Sequence, residues 1–189
     1  SIQEKLDVNR ELNNILKKTD LFNSVVQDIL VISDNGYYFT TVGQDGLAAN
    51  YDYWSKDWYQ EAKDVTGNVY VHILGLHDQD FYSERRAITA KSKTFSISFA
   101  LPNSKGKVSG ALIYNFDLSQ LAEVLGASSY EENGKVAILN EDGVIMSRSD
   151  NSEIGSVLQV SDQDREIMKN EKTGSFWTNV GGKRHFVSF

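Results

Sequence analysis

The residues best suited to chemistry stand in one stretch, Tyr51-Asp-Tyr-Trp-Ser-Lys-Asp-Trp-Tyr-Gln-Glu-Ala62. It packs five aromatic side chains and charges of both signs into twelve positions. Aromatic walls with a few oriented polar groups are how proteins hold small polar solutes. Downstream, Tyr70 and His72 stand two apart in a β-type run and so share a strand face. Tyr114 and Asp117 close a second apolar run, and Arg85 or Arg86 lies between the two runs. This is the chemistry of recognition. Bond-making patterns are missing: there is no Gly-x-Ser-x-Gly elbow, and no Gly-x-Gly-x-x-Gly or phosphate loop. The acid pairs Glu131-Glu132 and Glu141-Asp142 sit in turn-like surroundings and read as solvated. The chain is therefore not expected to be an enzyme by itself.

Each candidate has a purely structural reading beside the functional one. Trp54 reads as core, since aromatics on one helix face usually are. Trp58 and Tyr59 can be core for the same reason, and Tyr114 divides evenly between pocket and core. Lys56 on its own reads as a solvated lysine. Asp117 stands where a helix cap belongs, and one carboxylate has oxygens enough for a cap and a ligand. Arg85 and Arg86 point to opposite faces of a strand, so one could meet an anion or pair with Glu84 or Asp80. The run His77-Asp78-Gln79-Asp80 with Glu84 is oxygen-rich, but it lacks the glycine a calcium loop needs. No second histidine stands at helical spacing. No metal and no cofactor is expected.

The composition bounds the partners. The 189 residues are 40% hydrophobic and 24% charged, an ordinary globular balance for one large or two small domains. A net charge of −7 and a pI near 5.0, with no basic block, argue against nucleic acid. The absence of cysteine removes disulfides, thiolate metal sites and thiol catalysis. No run approaches the ~20 apolar residues of a membrane span. The chain opens inside a helical pattern and closes inside a strand pattern. It reads as an excised piece of a longer protein whose flanking membrane spans lie elsewhere.

Positioning these residues requires the following elements. Ile2, Leu6, Leu12, Ile15 and Leu16 predict an amphipathic helix over 2–18. Residues 25–33 and 37–41 predict strands joined at Asp34-Asn35-Gly36, a turn tolerant of positive φ. A short helix is expected over 54–63, ended by Gly67, and a strand over 68–74 followed by a polar loop over 75–83. Strands are expected over 85–92, 94–101 and 108–116, then a helix capped by Asp117 or Ser119 and ended by Gly126. A boundary falls at 127–134. Beyond it the plan repeats on a smaller scale: strand, Glu141-Asp142-Gly143 turn, strand, a helix over 161–169 capped by serine, and a hairpin across 180–183. The fold class is α+β, two tandem modules with antiparallel sheets.

The order of these signals resembles the double Cache (dCache) sensor domain of bacterial histidine kinases and chemoreceptors. The matching residues are the strand-Asn-Gly-strand unit, Trp58-Tyr59-x-x-Ala62, Gly110-Ala-Leu-Ile-Tyr-Asn-Phe-Asp117-Leu-x-x-Leu121 and Val136-Ala-Ile-Leu-Asn-Glu-Asp-Gly143. Ile154-Gly155 and Gly174-Ser-Phe176 resemble the histidine kinase members.

The resemblance implies a long N-terminal helix (1–19), a membrane-distal PAS-like module holding the ligand (20–126) and a membrane-proximal PAS-like module (127–189). It implies an extracytoplasmic position on a membrane protein and signalling through a homodimer. The output would be a two-component histidine kinase, with a chemoreceptor as the alternative, and an interaction or adhesion module without small ligand as the rival class. Amino-acid-binding members use a Tyr, an Arg, a Trp-Tyr pair, a strand Tyr-x-Asp and a later Asp. On that pattern the ligand-binding residues here are Tyr51, Trp58, Tyr59, Tyr70 and Asp117. Lys56 stands in the Arg position and His72 in the strand Asp position; Arg85 and Tyr114 join the candidates from their own strand positions, outside that pattern. Lysine offers a point charge in place of a two-pronged grip. The partner is a small polar molecule: an organic acid, an amine, an amino-acid-like compound or a sugar.

Overall fold

The structure, a computed structural model, describes residues 10–11, 14, 25–41, 47–48, 50–65, 70–78, 81–82, 93–127, 134–171 and 173–189. Of the expected N-terminal helix, Arg10, Glu11 and Asn14 are described and are helical. The rest of that helix, with Gly67, Arg85, Arg86 and the expected strand over 85–92, lies outside the described residues. Chain packing separates two compact units, Ser1–Leu121 and Ala122–Phe189.

Unit 1 is built on a five-stranded antiparallel sheet. Its strands are β1 (Val26–Ser33), β2 (Tyr38–Thr40), β3 (Val71–Asp78), β4 (Lys93–Pro102) and β5 (Val108–Phe116), in the order β2-β1-β5-β4-β3. The β1–β2 turn forms as expected, with Gly36 at φ 84° and the Ser33 amide bonded to the Tyr37 carbonyl at 2.8 Å. Leu30, Ile32, Ala111 and Ile113 project from one face of the sheet. They pack against Tyr53, Tyr59, Ala62, Phe81 and Tyr82. Helix α1 (Asp57–Lys63) lies on that face across β5, β4 and β3. It starts later than expected, because Asp52 Oδ1 accepts from the amides of Trp54 and Ser55 and holds them in a turn.

Strand β3 departs from the sequence reading. It runs through His77 to Asp78, where a polar loop is expected after Leu74. A β-bulge between Ile73 and Gly75 makes this possible. Gly75 takes φ 71°, which glycine adopts at no steric cost. Helix α2 (Leu118–Ala127) starts at Asp117, whose Oδ1 accepts from the amides of Ser119 at 2.8 Å and Gln120 at 3.1 Å. Gly126 lies inside it and does not end it.

Unit 2 holds two separate two-stranded antiparallel sheets. One pairs β6 (Ala137–Leu139) with β7 (Ile145–Arg148). The other pairs β8 (Ser175–Val180) with β9 (Lys183–Ser188) across Gly181 and Gly182, both at positive φ as a tight hairpin demands. Helix α3 (Asp162–Asn170) is capped by Ser161, whose hydroxyl accepts from the Asp164 amide at 3.1 Å.

Candidate functional site

In unit 1 the sheet face beneath α1 carries more polar groups than a core needs. Register fixes which side chains share it. Asn115 stands opposite Asp28 on β1 and Ser96 on β4, and Ile113 stands opposite Leu30 and Ser98. His72 is the β3 partner of Ser98. Alternation alone would put His72 and His77, five residues apart, on opposite faces. The bulge at Gly75 reverses the parity and brings both to the face under α1.

These residues form a buried row of hydrogen bonds. Asn115 Nδ2 donates to Asp28 Oδ1 at 2.7 Å, and Asn115 Oδ1 accepts from the Ser96 hydroxyl at 2.6 Å. His77 Nε2 lies 2.7 Å from Ser96 Oγ. The Ser96 proton is already committed to Asn115, so this contact makes His77 Nε2 the donor. The row runs from a buried carboxylate on β1 to an imidazole on β3, across four strands. One step along the sheet, Ser98 Oγ and His72 Nε2 are buried with no hydrogen-bond partner.

The aromatic stretch forms the opposite wall. The Trp58 ring stacks on His77, with centroids 5.7 Å apart and planes 19° apart. Tyr53 meets Tyr51, Trp54 and Trp58 edge-on. Phe81 packs against Tyr51, Trp58 and His77. Lys56 Nζ lies 4.6 Å from the centre of the Tyr51 ring, a cation–π contact at the margin of this layer. Trp54 is pinned to β1, its indole N–H donating to the Ser33 carbonyl at 2.8 Å.

Tyr59 is fully buried, and its hydroxyl donates to Asp34 Oδ1 at 3.0 Å. Lys63 Nζ reaches the same oxygen at 2.6 Å and lies over the Tyr59 ring. Lys63 first, then Tyr59, hold the Asp34 carboxyl below its usual range against the opposing effect of burial. Burial, then Asp34, push the Tyr59 hydroxyl above the usual tyrosine range. The sign for stability follows from linkage. Tyr59 holds its proton more tightly when folded, so its contribution is intact below about pH 10 and is lost as pH rises further. Asp34 contributes above about pH 4 and loses this as pH falls. Asp34 is partly exposed, so the acid limb is shallow. In urea titrations the unfolding midpoint should fall steeply above about pH 10, and Tyr59→Phe should remove most of that fall. An unchanged alkaline limb in the variant would refute this.

The structure brings Tyr51, Lys56, Trp58 and Tyr59 of the sequence candidates into one aromatic layer, and register puts His72 on the sheet face beneath α1. Tyr70 precedes β3 on the His72 side and is 41% exposed at the sheet edge. Two other candidates stand elsewhere. Tyr114 is on the opposite face, paired with Ile29 and Ile97 and edge-on to Phe99. The period-two pleat that brings Asn115 under α1 turns Tyr114 away. Asp117 lies past the end of β5, where one carboxylate oxygen caps α2. Sequence reasoning missed Asp28, Ser96, Ser98, Asn115 and the placement of His77. The available signal was the alternation Thr94-Phe-Ser-Ile-Ser-Phe99, in which small polar residues take every second place along a strand.

Unit 2 has a half-open cleft of about 1210 Å3, walled by Leu139, Leu158, Val160, Met168, Val187 and Phe189. Two of its cations are already engaged: Lys135 pairs with Asp150, and Arg148 with Asp150 and Glu153. Among the described residues no group of three or more His, Asp or Glu is placed to hold a metal ion. No helix among them is long and apolar enough to cross a membrane.

A family model for the Cache domain, in its dCache form, matches residues 2–189. The chain belongs to the Cache domain family. Several solved structures share its fold. The ligand-binding domain of the Pseudomonas fluorescens chemoreceptor CtaA, in complex with L-serine, aligns with TM-score 0.60 at 15% identity, covering 90% of this chain and 68% of that one. The ligand-binding domain of the Pseudomonas aeruginosa amino acid chemoreceptor PctC, in complex with GABA, gives 0.57 at 13%, covering 100% and 83%. The extracellular domain of rpHK1S-Z16, a protein assigned to the histidine kinases, gives 0.68 at 12%, covering 96% and 70%. At such identities the likeness concerns the fold. A search of curated protein sequences returns no match. Cache domains are extracellular ligand-binding sensor domains of signal-transduction proteins, and the mixed α and β architecture with antiparallel sheets described above fits this one.

Proposed function

We propose that this Cache domain is the extracytoplasmic sensing part of a transmembrane signalling protein and binds a small polar solute in unit 1, between the aromatic layer and the polar sheet face. One observation carries the reading: polar side chains stand on the sheet face beneath α1, and two of their buried atoms, Ser98 Oγ and His72 Nε2, have no partner. A core built only for stability satisfies or omits such groups. Tyr51, Lys56, Trp58, Tyr70 and His72 contact the solute, with Tyr59 bracing the helix that carries Trp58. Asn115, the inward-facing polar residue of β5, joins this set in place of Tyr114, which faces the other side of the sheet. Arg85 stays a candidate on sequence grounds. Amino acids are the first class to test, because the similar structures include complexes with serine, GABA, glutamine and asparagine. The output is a two-component histidine kinase on the strength of Ile154-Gly155 and Gly174-Ser175-Phe176, acting as a homodimer. Binding favours one of two pre-existing arrangements of the domain, to the extent of its differential affinity for them.

A metabolite screen by thermal unfolding tests this. A ligand at about 100 times its Kd adds about 2.7 kcal/mol, which for a chain of this size raises Tm by about 5–10 °C. Trp58→Phe keeps a ring against His77, so it should leave the unliganded Tm within a few degrees and shrink the ligand's shift. A screen in which no solute raises Tm would favour an interaction module whose aromatics are all core.

A further inference from the structure

Resting on that reading, we propose that Ser98 and His72 form a two-point anchor for a carboxylate end group of the ligand. Four observations converge. Ser98 is 0% exposed, yet its hydroxyl has no partner, and the buried His72 Nε2 has none either. The two residues are directly paired across β3 and β4. Such pairs hold their Cβ atoms about 4.5–5.5 Å apart on one face, so an O–H and an N–H can converge on the two oxygens of one carboxylate. Both point to the side where Ile113, the other strand partner of Ser98, enters the core beneath α1. The neighbouring row accounts for the acid of this face: Asp28 Oδ1 accepts from Asn115, and the chain of donors behind it runs to His77.

With its proton on Nε2, His72 adds a ring N–H to the Ser98 hydroxyl, and the pair brings no carboxylate of its own, which suits an anionic acceptor and offers an ammonium no counter-charge. Hydrogen bonds to an ionised acceptor are shorter and stronger than those to a neutral one. This assigns His72 a role opposite in sign to that of an acid at the same position. An acid there would grip the amine end of a ligand; here the strand grips the acid end.

The test sets acids against their neutral isosteres. Acetate, L-lactate, succinate and L-serine are titrated against acetamide, lactamide, succinamide and serinamide by calorimetry and thermal unfolding, on the whole chain and on Ser98→Ala and His72→Ala. At least one acid should bind, with its amide about 10- to 100-fold weaker. Ser98→Ala should lose about the same factor in acid affinity while the unliganded Tm stays level or rises, since a buried hydroxyl without a partner is costly to keep. A Tm that does not fall distinguishes a binding residue from a structural one. Amides or amines that bind as well as the acids, with binding still lost in Ser98→Ala, would overturn the carboxylate assignment and leave the site standing. Acid binding unchanged in both variants would remove the anchor. Silence from every compound, in a wider screen as well, would overturn the anchor and the ligand-binding reading together.

Discussion

Asn115→Ala is expected to destabilise the domain by about 3 kcal/mol, which for a chain of this length lowers Tm by about 6–12 °C. Asn115 is 0% exposed, and both ends of its amide are in use. Its loss takes the donor from Asp28 Oδ1 and the acceptor from the Ser96 hydroxyl. Each group stays buried, and Asp28 is only 2% exposed. A neutral group stranded this way costs about 1–3 kcal/mol and a charged one more. Loss of side-chain volume adds to that. Asn115→Asp is a sharper probe, because it sets a second carboxylate beside Asp28. Like charges this close cannot both ionise cheaply, so that variant should be worst near neutral pH and recover partly in acid. Chemical denaturation of both variants from pH 4 to 8 checks the pair. A cost below about 1 kcal/mol for Asn115→Ala would show that the polar row does not hold β1, β5 and β4 together.

Gly110→Ala is expected to cost about 2–3 kcal/mol, for a reason unrelated to side-chain contacts. A Cβ on Gly110 would lie 2.5 Å from the Ile32 carbonyl oxygen and 3.2 Å from Ser33 Cα. Both atoms are backbone of the paired strand β1, so neither yields as a flexible side chain would. Replacing glycine restricts the unfolded chain and by itself stabilises by about 0.4–1 kcal/mol. The clash outweighs this and sets the sign. Urea unfolding should show a lower midpoint with an unchanged slope. A variant as stable as the parent would mean that β1 and β5 approach less closely at this point.

Much of the fold was legible in the sequence. The Asp34-Asn35-Gly36 turn, the apolar strand 108–116, the Ser161 cap and the glycine hairpin before Lys183 each carry a local cause, so each appears where short-range pattern puts it. The site was legible only in part. The aromatic stretch was visible because five rings in twelve positions depart from any ordinary surface. The polar floor was not, because Ser96, Ser98 and Asn115 look like unremarkable strand residues until pairing aligns them. Tyr114 drew attention by residue type, and one residue of register placed Asn115 under α1 instead; Asp117 stands past the strand, where it caps α2.

By itself the sequence determined the family, the antiparallel character of the sheets and the aromatic wall, since these follow from local periodicity, turn chemistry and the order of motifs. Only the tertiary structure decided which polar side chains share the covered face. That depends on strand register and on the extra residue at the Gly75 bulge, which turns His77 inward beside His72. A bulge is a property of two strands together, so no reading of one strand by alternation could supply it.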